Sequence, residues 1–155
     1  GALAVAGPGA ILVAAPNAYT GAAVTGALLL GMARNRGVAG FVTDGLVRDL
    51  AGILAVGLPV FAAGLTPNSP SRTGPGTVGL PVVVGGLPVE SGDIIVGDED
   101  GVVVVPAARA AAVVAALDGV RAAEAALDAK VKAGLEIPDF VRSVLASDRV
   151  VTLKR

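Results

Sequence analysis

The densest group of chemically capable side chains lies in "FVTDGLVRDL", residues 41–50, which places Asp44, Arg48 and Asp49 among apolar neighbours. No charged residue precedes Arg34, so this grouping stands out from the rest of the N-terminal sequence. A carboxylate oxygen suits hard cations such as Mg²⁺, and a guanidinium can hold a carboxylate through two parallel hydrogen bonds. Arg48 and Asp49 therefore favour a site for a divalent cation and a small acid. We expect Asp44 to support the surrounding loop rather than to bind directly.

An arginine–aspartate pair at the start of a helix also has a simpler interpretation. The acid can complement the helix dipole and form a surface ion pair with the neighbouring arginine, with no ligand involved. Spacing alone favours this helix cap over a binding site. Both interpretations of Arg48 and Asp49 stay open at this point.

Composition removes several classes of chemistry. The chain of 155 residues contains no cysteine and no histidine, which excludes disulfides, thiolate catalysis, Cys/His zinc sites and His-dependent triads. A net charge of −1 and a low aromatic content of 3% give no basic field or stacking surface for nucleic acid or for an anionic membrane. We expect one domain over residues 1–155, with any metal held by oxygen atoms.

The elements that would position these residues alternate along the chain. Short apolar runs predict strands at 11–15, 38–45 and 58–64, and helical patterns predict helices at 25–37, capped by Thr25, and at 47–57, ending at Gly57. This order predicts a βαβαβ core with parallel strands and right-handed crossovers. Because ligands bind beyond the carboxyl ends of such strands, the region around residues 44–49 is well placed for a site.

The start of the first predicted helix offers a second binding element. In "TGALL", the backbone N–H groups from Gly26 to Leu29 have no partner within the helix, and Gly26 permits close approach. These amides predict an anion site. Together with Arg48 and a cation on Asp49, they would suit an α-keto acid.

The second half of the sequence changes character. Residues 64–79 form a long Gly/Pro/Ser loop, and such loops in compact domains are more often functional. Further strands are predicted at 80–86, 93–98 and 101–106, followed by a long helix over Ala107–Lys132 and a short terminal element at 134–145. Prolines and glycines interrupt the long uncharged stretches and no basic segment opens the chain, so we expect neither a membrane span nor a signal peptide, and a cytoplasmic location.

One carboxylate of the long helix interrupts an apolar stripe. Glu124 fills the gap between Val120 and Leu127, where helical spacing continues the stripe. Such a glutamate is either an edge residue that reaches solvent or a buried functional group. The edge interpretation is slightly favoured by the pattern alone.

Two long blocks of the sequence resemble a known family. "RGVAGFVTDGLVRDLAGILAVGLPVFAAGLTP" and "GPGTVGLPVVVGGLPVESGDIIVGDEDGVVVVP" are similar to the 4-hydroxy-4-methyl-2-oxoglutarate aldolases, a family that includes the regulators of ribonuclease E activity and proteins once labelled demethylmenaquinone methyltransferases. The resemblance runs from about Pro8 to Glu136. It implies a swivelling β/β/α-type α/β fold with additional strands and a long C-terminal helix. The family's chain usually begins earlier, so an N-terminal portion is expected to be missing.

The resemblance also implies roles for individual residues. The amides of Gly26, Ala27, Leu28 and Leu29 would hold a pyruvate carboxylate, Arg48 would contact the substrate, and Asp49 would bind Mg²⁺ or Mn²⁺ largely through waters. A glutamate of the C-terminal helix would serve the active site of a neighbouring subunit. Glu124 is the best positional match for it, and Asp128 is the second candidate. One position departs from the family, which often has an acidic residue where this chain has Ala27.

Two functions follow from the resemblance. The first is a metal-dependent lyase that releases pyruvate from 4-hydroxy-4-methyl-2-oxoglutarate-like substrates or decarboxylates oxaloacetate. Both reactions require stabilisation of an enolate, and the absence of lysine near the site disfavours a Schiff-base aldolase. The second is a non-catalytic, protein-binding regulator of the ribonuclease E type on the same scaffold. Either is expected as a homotrimer or a hexamer, since a site shared between neighbours requires a ring.

Overall fold

Short β-branched and aliphatic runs bounded by glycines and prolines form the strands of the protein. The computed structural model describes residues 1–71 and 73–151, so Arg72 in the predicted loop and the last four residues lie outside the described part. The described strands are β1 (Ile11–Ala14), β2 (Ala23–Thr25), β3 (Gly40–Thr43), β4 (Leu46–Val47), β5 (Val60–Phe61), β6 (Gly64–Leu65), β7 (Val82–Val84), β8 (Leu87–Val89), β9 (Ile94–Asp98) and β10 (Gly101–Val105).

The described helices are α1 (Ala2–Val5), α2 (Ala27–Asn35), α3 (Leu50–Val56), α4 (Ala110–Lys132) and α5 (Asp139–Leu145), with a 3-10 turn at Ala107–Arg109. The chain divides into a first unit, Gly1–Ala110, and a second unit, Ala111–Arg155. In the described part of the chain, no helix is both long enough and apolar enough to cross a membrane.

The predicted βαβαβ core is confirmed in the first unit. Strands β1, β3 and β5 form a parallel sheet in that order, with Ile11 opposite Gly40 and Phe41 opposite Val60. Helices α2 and α3 connect these strands. Two antiparallel hairpins, β7–β8 and β9–β10, follow the parallel part. The α/β fold class expected from the sequence is therefore correct.

A second parallel sheet was not predicted. Strands β2, β4 and β6 pair in that order, and each follows one strand of the first sheet after a short connection. Each spans only two or three residues, too few for an alternating pattern to be visible in the sequence. Strand β8, which the sequence placed in a turn, was missed for the same reason.

Both predicted helix starts were wrong, because residues expected in the first turns belong to the second sheet or to the connection that follows it. Thr25 lies in β2 rather than at the helix cap, and Gly26 is the residue that caps α2. Helix α3 begins at Leu50, with Asp49 at its N-cap position, instead of at residue 47. The predicted end of α3 at Gly57 is confirmed, since Gly57 adopts a left-handed conformation with φ of 67°.

The core of the first unit lies between α2, α3 and the parallel strands. Leu30 and Ala33 of α2 are fully buried, three positions apart on one face, and they pack with Phe41, Val47 and Ile53. Burial of these aliphatic side chains fixes α2 and α3 against the strands. The starts of both helices are thereby held in place at the same end of the second sheet.

Candidate active site

The carboxyl ends of β2, β4 and β6 bring three segments of the chain together. Gly26 follows β2, Arg48 and Asp49 follow β4, and Thr66 follows β6. The amide of Arg48 donates a 3.1 Å hydrogen bond to the carbonyl of Thr25, and the amide of Thr66 donates a 3.0 Å bond to the carbonyl of Val47. The hydrogen-bond ladder of the second sheet therefore continues into the candidate site and sets its spacing.

Gly26 makes the close approach between two of these segments possible. A Cβ atom at position 26 would lie 2.5 Å from Asp49 Oδ2 and 3.0 Å from Arg48 Cγ. Non-bonded carbon and oxygen atoms do not pack at 2.5 Å, because their optimal separations are well above 3 Å. The backbone of Gly26 is extended, with φ of −152°, so glycine is needed here for space and not for its conformational freedom.

The same approach places Arg48 and Asp49 at the positive end of α2. The first hydrogen bond of this helix runs from the amide of Leu30 to the carbonyl of Gly26, at 3.3 Å. The amides of the preceding residues, from Gly26 to Leu29, have no acceptor within the helix. This helix start, with a guanidinium beside it, has the character of an anion-binding site.

Asp49 has an unusual backbone conformation and a side chain that does not cap its helix. Its φ and ψ of 63° and 48° are left-handed, a conformation that costs free energy for a residue other than glycine and is common at functional sites. Although Asp49 occupies the N-cap position of α3, its side chain makes no capping hydrogen bond. The half-exposed carboxylate lies 3.6 Å from Arg48 Nε. The helix-cap interpretation thus has no capping hydrogen bond, although the ion pair with Arg48 that it expects is present.

The Arg48 guanidinium is hydrogen-bonded at one nitrogen and is partly exposed to solvent. Its Nη1 donates a hydrogen bond to Ser69 Oγ, and 30% of its side chain is exposed. Its Nε is buried and makes no hydrogen bond with any described residue. Arg48 and Asp49 line a cavity of about 370 Å³ together with Leu50, Leu65, Thr66 and Pro67. A cavity of this size can accept a small organic acid.

Asp44 belongs to a different place in the first unit. It follows β3, and its Oδ2 accepts a 3.5 Å hydrogen bond from the amide of Gly85 in the β7–β8 turn. It lines a separate cavity of about 540 Å³, whose other walls include Val42 and Val89. The structure thus separates Asp44 from the cavity of Arg48 and Asp49. The observed bond is to the β7–β8 turn, so support of the loop around Arg48 by Asp44 stays a prediction.

Glu124 and Asp128 lie on α4 in the second unit. The side chain of Glu124 is exposed, as are those of Val120 and Leu127 on either side of it in the stripe. Asp128 forms an ion pair with Lys132, with 2.6 Å between Oδ2 and Nζ. A catalytic role for Glu124 stays a prediction. The carboxylate of Asp128, the second candidate, is engaged by Lys132.

The ligands available around Asp49 fit only a divalent cation that keeps most of its coordinated waters. Within residues 1–71 and 73–151, no group of three or more acidic side chains is arranged to hold a metal ion. Mg²⁺, however, commonly binds through one or two carboxylates and keeps several waters. The uncapped, half-exposed carboxylate of Asp49 provides one such ligand. The residues present are compatible with Mg²⁺ or Mn²⁺ on these terms.

Sequence reasoning missed the contribution of the segment after β6. Arg48 contacts Ser69, and Asn68 reaches the strand that precedes α2, where its carbonyl accepts a 3.0 Å bond from the amide of Ala23. The only signal was the length of the Gly/Pro/Ser loop at 64–79, which indicated function without indicating residues.

Comparison with known proteins identifies the class. A family model described as "RraA-like: Aldolase/RraA" matches residues 1–104, and the chain belongs to this family. A protein of Halalkalibacterium halodurans named "Putative 4-hydroxy-4-methyl-2-oxoglutarate aldolase" is 42% identical over 101 residues, which cover 65% of this chain and 48% of that protein. The chain thus spans about half the length of this relative.

Two solved structures that resemble the chain are described as RraA proteins. Streptomyces coelicolor RraAS2, described as an unusual member of the RNase ES inhibitor RraA protein family, is 32% identical with a TM-score of 0.74 over 81% of this chain and 65% of that one. The RNA-processing inhibitor RraA from Thermus thermophilis is 31% identical with a TM-score of 0.60, covering 64% of this chain and 62% of that one. The family therefore includes both aldolase-type proteins and inhibitors of RNA processing.

Proposed function

We propose that the protein is a divalent-cation-dependent lyase that releases pyruvate, by cleaving 4-hydroxy-4-methyl-2-oxoglutarate-like substrates or by decarboxylating oxaloacetate. One observation carries the proposal: Gly26 lets the start of α2 lie directly against Arg48 and the uncapped Asp49, and these two side chains line a cavity. A helix start and a guanidinium recognise a carboxylate, and a free carboxylate beside them suits a cation. An α-keto acid substrate needs both a group that binds its carboxylate and a cation that polarises its keto group.

In this proposal the α-carboxylate of the substrate binds the amides of the first turn of α2 and the guanidinium of Arg48. In the resulting orientation, the carbon–carbon bond that will break points out of the plane of the keto group. When that bond breaks, its electron pair moves into the keto group and produces the enolate of pyruvate, which takes a proton at C3 from solvent water to give pyruvate. Arg48 stabilises the negative charge as it develops, in a place fixed before the reaction begins.

A divalent cation bound at Asp49 would supply the remaining polarisation of the keto group as a Lewis acid. Asp49 itself holds no proton in this scheme, and its task is to bind and orient. In the aldol cleavage a base must remove the proton of the 4-hydroxyl group, and we assign this to the Glu124 carboxylate from a neighbouring subunit. Decarboxylation of oxaloacetate requires no such base. A Schiff-base route is disfavoured because the first unit, residues 1–110, contains no lysine.

The assembly that we propose for this scheme is a homotrimer or a dimer of trimers. A residue that serves the site of its neighbour in a closed ring gives each protomer one complete site. A cytoplasmic location belongs to the same proposal, because small keto acids are intermediates of central metabolism. The proposed partners are the keto acid and further copies of the chain.

A non-catalytic regulator is the second candidate, and one residue favours it. Ala27 stands where the family often has an acid, and its Cβ lies 2.7 Å from the position a Cβ would take at Gly52 of α3. This side chain therefore packs against α3 and adds no negative charge beside Asp49. Such a site would hold its cation more weakly. One structural relative is described as an RNA-processing inhibitor, and another as an unusual member of the RNase ES inhibitor RraA protein family.

The two candidates are separated by one assay with an internal control. Pyruvate release from oxaloacetate and from 4-hydroxy-4-methyl-2-oxoglutarate is measured with Mg²⁺, with Mn²⁺ and with EDTA. The lyase proposal expects turnover that depends on the cation and returns when Mg²⁺ is restored. Turnover that survives EDTA contradicts the metal scheme, whereas no turnover with any cation, together with inhibition of ribonuclease E, supports the regulator.

A further inference from the structure

The segment from Thr66 to Ser69, hereafter the 66–69 segment, lies directly against the Arg48 guanidinium. Ser69 Oγ accepts a hydrogen bond from Arg48 Nη1. The segment begins at the end of β6, where the amide of Thr66 is bonded to the carbonyl of Val47, the residue before Arg48. It is therefore attached to the backbone of β4 at one end and to the side chain of Arg48 at the other.

Asn68 fixes the middle of this segment to a third part of the site. Its side-chain Nδ2 donates a 3.1 Å hydrogen bond to the carbonyl of Gly21, and its backbone carbonyl accepts a 3.0 Å bond from Ala23. Its own amide donates to Thr66 Oγ1 at 3.3 Å. Ser69 is thus presented to Arg48 from a segment bonded to the residues that lead into β2.

The contacts of Arg48 are distributed so that one part of the guanidinium stays available. Nη1 is bonded to Ser69, and Nε lies 3.6 Å from Asp49 Oδ2. Among the described residues, no hydrogen bond or ion pair engages Nη2. A guanidinium is planar, so restraint at Nη1 also fixes the direction of the two N–H groups on Nη2.

We propose that Ser69 is a positioning residue, which aligns the Arg48 guanidinium for the substrate carboxylate, and that Asn68 holds Ser69 in place. The inference rests on the proposed function, because it assigns Arg48 the carboxylate. Without Ser69 the long arginine side chain samples several rotamers and must be ordered again at each binding event. The cost of this ordering falls on substrate binding more than on the chemical step.

The kinetic test compares Ser69→Ala with Ser69→Thr and Ser71→Ala under Mg²⁺ with oxaloacetate. Loss of a hydrogen bond to a charged group predicts a decrease of about tenfold in kcat/KM for Ser69→Ala, expressed mainly as a higher KM. Ser69→Thr keeps the hydroxyl and should retain most of the activity. Ser71→Ala is the matched control, since Ser71 Oγ accepts only a 3.5 Å bond from Thr73 in the described part of the loop.

A double-mutant cycle decides whether Ser69 acts through Arg48. If it does, Ser69→Ala should change kcat/KM by less than about twofold once Arg48 is already lysine, because coupled residues are not additive. Equal losses in the wild-type and Arg48→Lys backgrounds would overturn the inference. A wild-type kcat/KM in Ser69→Ala would overturn it as well.

A readout without turnover separates this inference from the proposed function. The Nε–H signal of Arg48, assigned by its disappearance in Arg48→Lys, is followed by NMR relaxation in the protein without substrate. We expect an ordered signal in the wild type and in Ser71→Ala, and a mobile one in Ser69→Ala and in Asn68→Ala. If this pattern appears while no variant turns over a keto acid, the positioning role stands and the lyase proposal fails. Equal order in all variants would overturn the positioning role.

Discussion

Arg48 combines a charge with a planar arrangement of donors, and only the second property distinguishes it from lysine. A guanidinium can hold a carboxylate by two parallel bonds while its Nη1 stays on Ser69, whereas an ammonium is a point charge. We predict that Arg48→Lys lowers kcat/KM on oxaloacetate, with a loss of transition-state stabilisation of about 2–4 kcal/mol. Thermal unfolding should be little changed, because lysine keeps the charge and most of the stem. Wild-type kinetics in this variant would make Arg48 a surface ion-pair residue.

Asp49 offers a test between a ligand and a helix cap. Its side chain makes no capping bond, so its removal should not weaken α3. We expect Asp49→Ala to abolish Mg²⁺-dependent turnover and Mg²⁺ binding measured by calorimetry, with the free energy of unfolding within about 1 kcal/mol of the wild type. A capping residue would behave in the opposite way, losing about 0.5–2 kcal/mol of stability while turnover persisted.

At the scale of elements, the contact between α2 and the β4–α3 connection depends on the absence of a side chain at Gly26. In Gly26→Ala the new Cβ must displace Asp49 or Arg48, since it would lie 2.5 Å from Asp49 Oδ2. We expect a loss of at least tenfold in kcat/KM and a decrease of about 1–3 kcal/mol in the free energy of unfolding.

The matched control for this change lies in the same helix. A Cβ at Gly31 would meet Val56 Cγ2 at 3.8 Å, an ordinary contact. Gly31→Ala should therefore keep full turnover and gain about 0.5–1 kcal/mol of stability from the lower entropy of the unfolded chain. A similar loss of turnover in both variants would mean that α2 tolerates no substitution, and the specific contact at Gly26 would lose its support.

A second element-scale prediction concerns the connection around β9. Asp93 accepts hydrogen bonds from the amides of Glu90, at 2.9 Å, and of Ala107, at 3.0 Å, and these bonds hold the pKa of its carboxyl below the usual range. A lowered pKa in the folded state contributes stability above the unfolded pKa, and this contribution is lost as the pH falls through the folded value. Asp93→Asn should therefore melt at a lower temperature than the wild type at pH 7. The difference should narrow as the pH falls below about 4, and a constant difference down to pH 2 would contradict this role.

How far the sequence predicted the site depends on the length of the elements involved. Apolar runs and helix-end signals were sufficient for β1, β3 and β5, and for the end of α3 at Gly57. The strands that set the geometry of the site, β2, β4 and β6, are too short to show periodicity. Gly26, Arg48 and Asp49 could be chosen as candidates because their chemistry is visible in the sequence. Ser69 was not, because a serine in a polar loop carries no signal until the fold brings it to Arg48.

At the scale of the whole molecule, the first unit leaves large apolar side chains in contact with solvent. Leu28 of α2 is 81% exposed and Leu54 of α3 is 71% exposed, on two helices that pack against each other. Leu50 and Leu65 also line an apolar groove beside α3. Extended apolar surface of this kind is typical of interfaces between protein chains.

We therefore predict that the full-length protein is an oligomer, with a trimer or a dimer of trimers as the expected state. Multi-angle light scattering should give a mass of three or six chains, because a ring allows Glu124 of one protomer to serve the site of the next. Leu54→Glu introduces a charge on the apolar surface and should shift the mass towards the monomer and lower turnover in parallel. The control Val151→Glu changes an exposed residue of the second unit, and should leave both unchanged. A monomer with full activity would rule out a site shared between subunits, and the assignment of Glu124 would then have to be abandoned.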